Sequence, residues 1–248
     1  MLACRELSRV YAPRGADLIR AVDGMNLQIH DGEFVVIVGR SGAGKTTLLN
    51  LMGGLDRATS GGVFIDGRSL QEMSNRQLAL LRRQKVGFVF QSHSLLPAYT
   101  VFENIEIALA PGQLSRQERR HRVGELLDAF GLAERANHRP LELSAGQQQR
   151  VAMARAVANH PTLVLADEPT AQLDPITARE VLTYLEELNR SFGHTLVVAT
   201  HGAFVSAAVT DVIFIKEGGI VSREDAGYLL DYDVVESSDA RGSSGAGS

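Results

Sequence analysis

The sequence predicts an α/β fold: a mostly parallel sheet with helices on its faces, an antiparallel strand unit ahead of it, and a helical block inserted into it. Three observations carry this. The apolar run Phe34–Val38 passes directly into the glycine-rich stretch Gly39–Thr46 and then into a helical pattern, which is a strand–loop–helix unit. The runs Val86–Phe90, Leu163–Ala166 and Thr195–Ala199 are short and apolar, as strands buried on both faces are. Between about 92 and 158 the texture turns helical, with apolar residues three to four apart and few β-branched signals.

Taken in order, Leu7–Tyr11 and Met25–Ile29 read as short strands of an antiparallel edge, flanked by Gly15, Gly24 and the Asp31-Gly32 turn. Phe34–Val38 opens the core, and a helix starts at Thr46-Thr-Leu-Leu-Asn50. Gly61–Gly67 is another strand closed by a turn, and Val86–Phe90 is of core type. Helices follow at Glu103–Leu109, Arg116–Phe130 and Gln147–Val157. The core resumes at Leu163–Ala166 and continues with a helix, Ile176–Leu188, that opens after Pro175. Thr195–Ala199 is the next strand, and Val212–Ile215 pairs with Gly219–Val221 around Glu217-Gly218. Strand, helix, helical block, strand, helix and strand in this order give a parallel sheet with helices on both faces. The stretch 236–248 is low-complexity and expected to be disordered.

A length of 248 residues suits one principal domain, 1–235, carrying an inserted subdomain at 92–158. The 25 Lys+Arg against 29 Asp+Glu leave a charge of −4, which argues against a dedicated nucleic-acid binder. The basic run Arg116, Arg119, Arg120, His121 and Arg122 contains Glu118 and lacks aromatic residues, so it reads as a solvated helix face. One cysteine, Cys4, forms no intrachain disulfide and fits a reducing cytoplasm. No apolar run approaches the roughly 18 residues of a membrane helix, and the start is charged too soon for a signal peptide. Any membrane role is therefore expected to come through a partner.

Gly39-Arg-Ser-Gly-Ala-Gly-Lys45-Thr46 matches the phosphate-binding pattern G-x-x-x-x-G-K-[ST]. Its glycines turn backbone N–H groups inward, its lysine reaches the β- and γ-phosphates, and its hydroxyl joins Mg²⁺. Gly39, Ser41, Gly42, Ala43, Gly44, Lys45, Thr46 and Thr47 are accordingly the candidate nucleotide contacts, with the following helix adding positive charge. Leu163-Val-Leu-Ala-Asp167-Glu168 places two carboxylates at the end of a buried strand, where ligands of parallel sheets gather. Asp167 is suited to the Mg²⁺ shell and Glu168 to a water facing the γ-phosphate, although both could simply cap the next turn. Ser144, Gly146 and the helix from Gln147 offer a second anion surface, and a single subunit has no obvious use for two.

Leu143-Ser-Ala-Gly-Gln-Gln-Gln-Arg150, just ahead of Asp167-Glu168, resembles the signature sequence of ATP-binding cassette ATPases. With Gln91, Asp174 and His201 the resemblance covers nearly the whole chain. The branch it looks most like is that of lipoprotein release and macrolide export, through Gly53-Gly-Leu-Asp56, Gly87–Gln91, Leu95-Leu-Pro97 and Ala166–Thr170. The resemblance implies a P-loop NTPase with a RecA-like core sheet that binds Mg²⁺ and ATP and hydrolyses ATP. It implies a head-to-tail dimer in which Ser144 and Gly146 of one copy meet the phosphate held by Lys45 of the other. It also implies a separate membrane permease, with export or mechanical work favoured over import. Under it Glu168 is the base, His201 the switch histidine, Gln91 a partner of Mg²⁺ and the attacking water, and Tyr11 the aromatic that stacks on adenine. Asp174 would lie in the loop crossing the dimer seam, a place that a helix N-cap explains almost as well.

Two departures stand out: Ala145 replaces the usual signature glycine, and Gly202 follows His201 where an acidic residue is common. Leu95, Leu96 and Tyr99 are expected to form a socket for the permease, with packing inside the helical block as the alternative. The runner-up function is a soluble nucleic-acid-associated cassette protein. It would need long coiled coils or a second cassette, and neither fits in this length.

Overall fold

The structure, a computed structural model, describes residues 1–12, 17–201, 206–222 and 225. The candidate tail 236–248 and Gly202 lie outside the described residues.

Two sheets organise the chain. The first strands are longer than their apolar runs suggested: β1 is Leu2–Tyr11 and β2 is Ile19–Ile29, paired antiparallel. β3 is Phe34–Val38 and α1 is Lys45–Met52. Then come β4 (Ser60–Ile65), the two-residue β5 (Arg68–Ser69), α2 (Asn75–Lys85) and β6 (Val86–Val89). The helical stretch contains α3 (Val101–Leu109), α4 (Arg116–Ala129) and α5 (Ala145–Ala156). β7 (Leu163–Asp167), α6 (Pro175–Arg190), β8 (Thr195–Thr200), β9 (Asp211–Lys216) and β10 (Gly219–Val221) complete the order. The antiparallel sheet runs β2-β1-β4-β5, and the second sheet runs β10-β9-β3-β8-β7-β6. From β9 to β6 every pairing is parallel, and β10 alone is antiparallel, against β9.

Alternation along the central strands feeds two cores. Phe34 and Val36 of β3, Val164 and Ala166 of β7, and Leu196 and Val198 of β8 bury into the core formed with α3 to α6. Val35 and Ile37, Leu163 and Leu165, and Val197 and Ala199 bury on the opposite face, against α1 and the antiparallel sheet. That is the period of two expected of a strand covered on both sides. At about 1.5–3 kcal/mol for each large side chain buried, this double burial anchors the three strands whose ends carry the site.

The helix starts share one device. Ser74, Thr100, Ser115 and Ser144 each cap a helix reciprocally with the residue three places on, Gln77, Glu103, Glu118 and Gln147. Asp174 caps α6 by accepting from the N–H groups of Ile176 and Thr177. Among the six α-helices of the described residues, only α1 begins without a side-chain cap, on Gly44 at φ 105°. Such a bare N-terminus leaves first-turn N–H groups for something outside the chain.

Two arginines of the basic run are engaged within the protein. Arg119 pairs with Glu106 at 3.4 Å, and Arg122 pairs with Glu125 at 3.1 Å. Arg122 also donates to the carbonyls of Val157 and Ala158. These contacts tie one side of the helix into its neighbours, while Arg116, Arg120 and His121 stay exposed.

Candidate functional site

Register assembles the site. Val38 of β3 lies opposite Thr200 of β8, and Asp167 of β7 lies opposite Ala199. The next residue of each strand is therefore Gly39, His201 and Glu168, side by side at the carboxyl ends of adjacent parallel strands. Backbone bonds fix the overlap: Gly39 N–H donates to Thr200 O at 3.2 Å, and Glu168 N–H donates to Ala199 O at 2.8 Å. Sheet order thus brings Gly39 beside two residues from the far half of the chain.

The loop from Gly39 to Gly44 is shaped by what its glycines allow. A Cβ at Gly39 would lie 2.7 Å from Ile215 O, and one at Gly44 would collide with Ala21 O while φ there is +105°. Gly42, also at positive φ, has open space around its Cα. Ser41 and Thr46 are exposed, Ala43 is buried and Thr47 is half-buried. Lys45 is 6% exposed. Its ammonium donates to Gly39 O at 2.7 Å and Arg40 O at 3.2 Å, and pairs with Glu168 Oε1 at 3.3 Å.

Glu168 is 8% exposed and sits at φ 49°, an uncommon conformation for a non-glycine residue. Its Oε2 accepts from His201 Nδ1 at 2.7 Å and from His201 N–H at 3.3 Å. Because Nδ1 donates to the carboxylate, a neutral His201 holds Nε2 as an acceptor. The switch role expected of His201 includes a hydrogen bond from its imidazole to a phosphate, or to a water that it orients. In this arrangement that role requires either the imidazolium or a departure from Glu168.

Asp167 ends β7, and its Oδ2 accepts from Thr46 Oγ1 at 2.7 Å. Its Oδ1 is buried and has no hydrogen-bond partner. Burial pushes the Asp167 carboxyl above its usual range; the Thr46 hydroxyl and Lys45 oppose the shift and the Glu168 charge adds to it. An unpartnered buried carboxylate oxygen beside a hydroxyl offers oxygen donors of the kind that a hard cation such as Mg²⁺ takes. The residues fit that ion.

The remaining candidates sit further out. Gln91 is exposed in the turn after β6, at the strand next to β7. Ser144 and Ala145 are exposed, whereas Gly146 is buried and a Cβ there would collide with Thr177 Cγ2. Ala145 is a first-turn helical residue, so its methyl group meets no backbone restriction. The Ser144 hydroxyl and the Gln147 amide are used in the α5 capping box. The Asp174 carboxylate caps α6, and the Thr177 hydroxyl and N–H hold it below its usual range.

Tyr11 does not stand as a free ring. Its hydroxyl donates to Asp56 Oδ2 at 2.8 Å, and the Arg9 guanidinium covers it at 4.4 Å from the ring centroid. Leu95 is a correction to the expected socket: it is partly buried against the core that α3 to α6 share. Leu96 and Tyr99 do stay exposed, at 38% and 40%. Their loop is held by the fully buried Asn104, which accepts from Leu96 N–H at 2.8 Å and donates to the carbonyls of Leu96, Tyr99 and Thr100. Asn104, Arg9 and Asp56 are the residues that sequence reasoning passed over. Only Asp56 carried a signal, inside the Gly53-Gly-Leu-Asp56 run.

The family described as ABC transporter matches residues 22–171. The chain belongs to it. ABC ATPases are P-loop NTPases, and the six-stranded sheet with its bare-ended α1 is the corresponding core. The uncharacterized ABC transporter ATP-binding protein MJ0796 of Methanocaldococcus jannaschii is 43% identical over 228 residues, which is 90% of this chain and 97% of that protein. The lipoprotein-releasing system ATP-binding protein LolD of Pseudomonas fluorescens is 40% identical over 222 residues, covering 90% of this chain and 97% of LolD. The macrolide export ATP-binding/permease protein MacB of Hyphomonas neptunium is 45% identical over 222 residues, with 90% of this chain but 34% of MacB covered. A solved dimeric, post-hydrolysis structure of MJ0796 bound to ADP and Pi superposes with a TM-score of 0.83 at 42% identity, over 90% of this chain and 97% of that one. Among the described residues no helix is long and apolar enough to cross a membrane. The nucleic-acid reading gains nothing from these relatives.

Proposed function

We propose that this ABC ATPase binds Mg²⁺ and ATP between Lys45, Asp167 and the start of α1, and hydrolyses ATP to drive a separate permease of the export or mechanotransmission type. The observation that carries this is the convergence of Lys45, Thr46, Asp167, Glu168 and His201 at the uncapped start of α1. The chain would sit on the cytoplasmic face of the membrane through that permease.

The phosphates take the α1 N–H groups and the Lys45 ammonium, which exchanges the carbonyls of Gly39 and Arg40 for phosphate oxygens. That exchange also draws Lys45 away from Glu168. The freed carboxylate, still oriented by His201, accepts the proton of the attacking water. Thr46 and Asp167, with Gln91 as a further ligand, would hold the Mg²⁺ ion, which would supply neutralising charge to the phosphate oxygens. Ser144 and Gly146, exposed or packed at the start of α5, meet the phosphate of a second copy in a head-to-tail dimer. In this reading residues 1–235 form the ATPase domain, and 92–158 its signature-bearing helical insertion.

Asp167→Asn separates metal binding from folding. The folded state raises the Asp167 pKa, so the ionised carboxylate costs stability above its unfolded-state pKa, and the cost vanishes as pH falls below it. The neutral amide is expected to raise nucleotide-free stability, read as a higher Tm. It is also expected to remove Mg²⁺-dependent phosphate release. Thermal unfolding without nucleotide and a Mg²⁺ titration of hydrolysis check the two halves. Unchanged Mg²⁺ dependence would refute the metal assignment.

Leu96 and Tyr99 form the exposed part of the permease socket, pre-set by Asn104. Replacing both by serine is expected to leave ATP affinity unchanged and to weaken permease binding by about 2 kcal/mol. Co-purification with the permease and its stimulation of ATP hydrolysis measure this, and retained stimulation would remove these residues from the interface.

A further inference from the structure

The unusual feature of the base end is that Tyr11 is gripped on two sides. The Arg9 guanidinium is bidentate on Asp56, with Nε to Oδ2 at 2.9 Å and Nη2 to Oδ1 at 2.9 Å. The same carboxylate accepts the Tyr11 hydroxyl at 2.8 Å, while the guanidinium lies over the Tyr11 ring. Ring, fork and carboxylate thus make one closed unit in which every rotatable group has a partner. Planar Arg–carboxylate pairs of this kind fix orientation as well as charge.

The unit is also tied to the phosphate end. Asp56 N–H and Leu55 N–H both donate to Asn50 O, at 3.2 and 2.8 Å, and Asn50 belongs to α1. Thr59 fastens the same loop to β1 through Val10 N–H at 3.0 Å and Ser8 O at 2.8 Å. On the other side, Tyr11 pairs with Ile19 of β2, and Ala21 packs its carbonyl against Gly44 at the α1 start. Two residues of strand, about 7 Å, separate the partner of Tyr11 from the residue that touches the phosphate loop.

We infer that Arg9 and Asp56 are positioning residues for nucleotide binding: they lock Tyr11 so that it presents one ring face to a purine at a fixed height above the α1 N-terminus. The inference rests on the ATP-binding reading above. With the guanidinium over one ring face, a stacking purine takes the other. Because the hydroxyl is committed to Asp56, Tyr11 reads the base by stacking and not by hydrogen bonding to its edge. Adenine and guanine are therefore equivalent at this platform.

The experiment compares ATP, GTP and inorganic tripolyphosphate, which has phosphates but no base, by equilibrium titration. In Asp56→Ala, ATP and GTP affinities are expected to fall together by about tenfold, the scale of one lost base–aromatic stack, while tripolyphosphate affinity stays unchanged. Tyr11→Ala is expected to show the same base-dependent loss, and the double variant no further loss, since Asp56 acts through Tyr11. Unchanged ATP affinity, an equal loss for tripolyphosphate, or full additivity with Tyr11→Ala overturns the proposal. Arg9→Met, which keeps the aliphatic stem and removes the fork, must reproduce the base-selective loss if Asp56→Ala does not fold. Wild-type protein that binds neither ATP nor tripolyphosphate would instead overturn the ATP-binding reading itself.

Discussion

Replacing Glu168 by glutamine is expected to lower the rate of ATP hydrolysis by about 10²- to 10⁴-fold, the usual contribution of a general base, while ATP binding stays intact or tightens. Glutamine keeps the shape that the site demands at φ 49° with 8% exposure. Its carbonyl oxygen can still accept from His201 Nδ1, the contact that now measures 2.7 Å. What changes is the other oxygen, which pairs with Lys45 at 3.3 Å. An amide NH₂ there faces an ammonium with donors on both sides, so Lys45 loses its competing carboxylate and turns to phosphate more readily. The variant therefore binds ATP and cannot deprotonate water. With turnover blocked, the proposed head-to-tail dimer accumulates. Phosphate release, ATP titration and sedimentation in ATP read the three consequences, and hydrolysis within a few-fold of the unsubstituted protein would remove Glu168 from the role of base.

How much of this was legible in the sequence depended on distance along the chain. Gly39–Thr46 is contiguous, so its chemistry could be read directly, as could the Asp174 cap of α6. Helix α2 was missed because Leu78 is its one buried residue, too little for a periodic apolar pattern. Its start was nevertheless written in Ser74 and Gln77, a capping box that marks a helix without any apolar stripe. Strand β1 extended back to Leu2 because Leu2, Ala3 and Cys4 pair on both sides, with β2 and β4, and pairing across a sheet leaves no local signature. The same limit hid the interactions that set the site's chemistry. Lys45 on Glu168 and Arg9 on Asp56 follow from strand order and register, so a reading of motifs could name these groups and not say which of them already hold one another.

Removing the lysine is the sharper test of the phosphate site. Lys45→Ala is expected to weaken ATP binding by about 10- to 100-fold, from the 1.5–3 kcal/mol of a charge-assisted bond to phosphate. The single variant carries a second effect. Lys45 is 6% exposed and holds Glu168, Gly39 O and Arg40 O, so its loss leaves a buried carboxylate short of its cation, a change that costs about 3–5 kcal/mol. Lower affinity could then follow from a damaged fold. The double variant Lys45→Ala with Glu168→Gln resolves this, since removing the carboxylate as well takes away the unpaired charge. Its thermal stability is expected to return close to that of the unsubstituted protein, while ATP affinity stays as low as in Lys45→Ala. Recovery of both stability and affinity in the double variant would mean that the lysine serves Glu168 alone, and the phosphate assignment would fall.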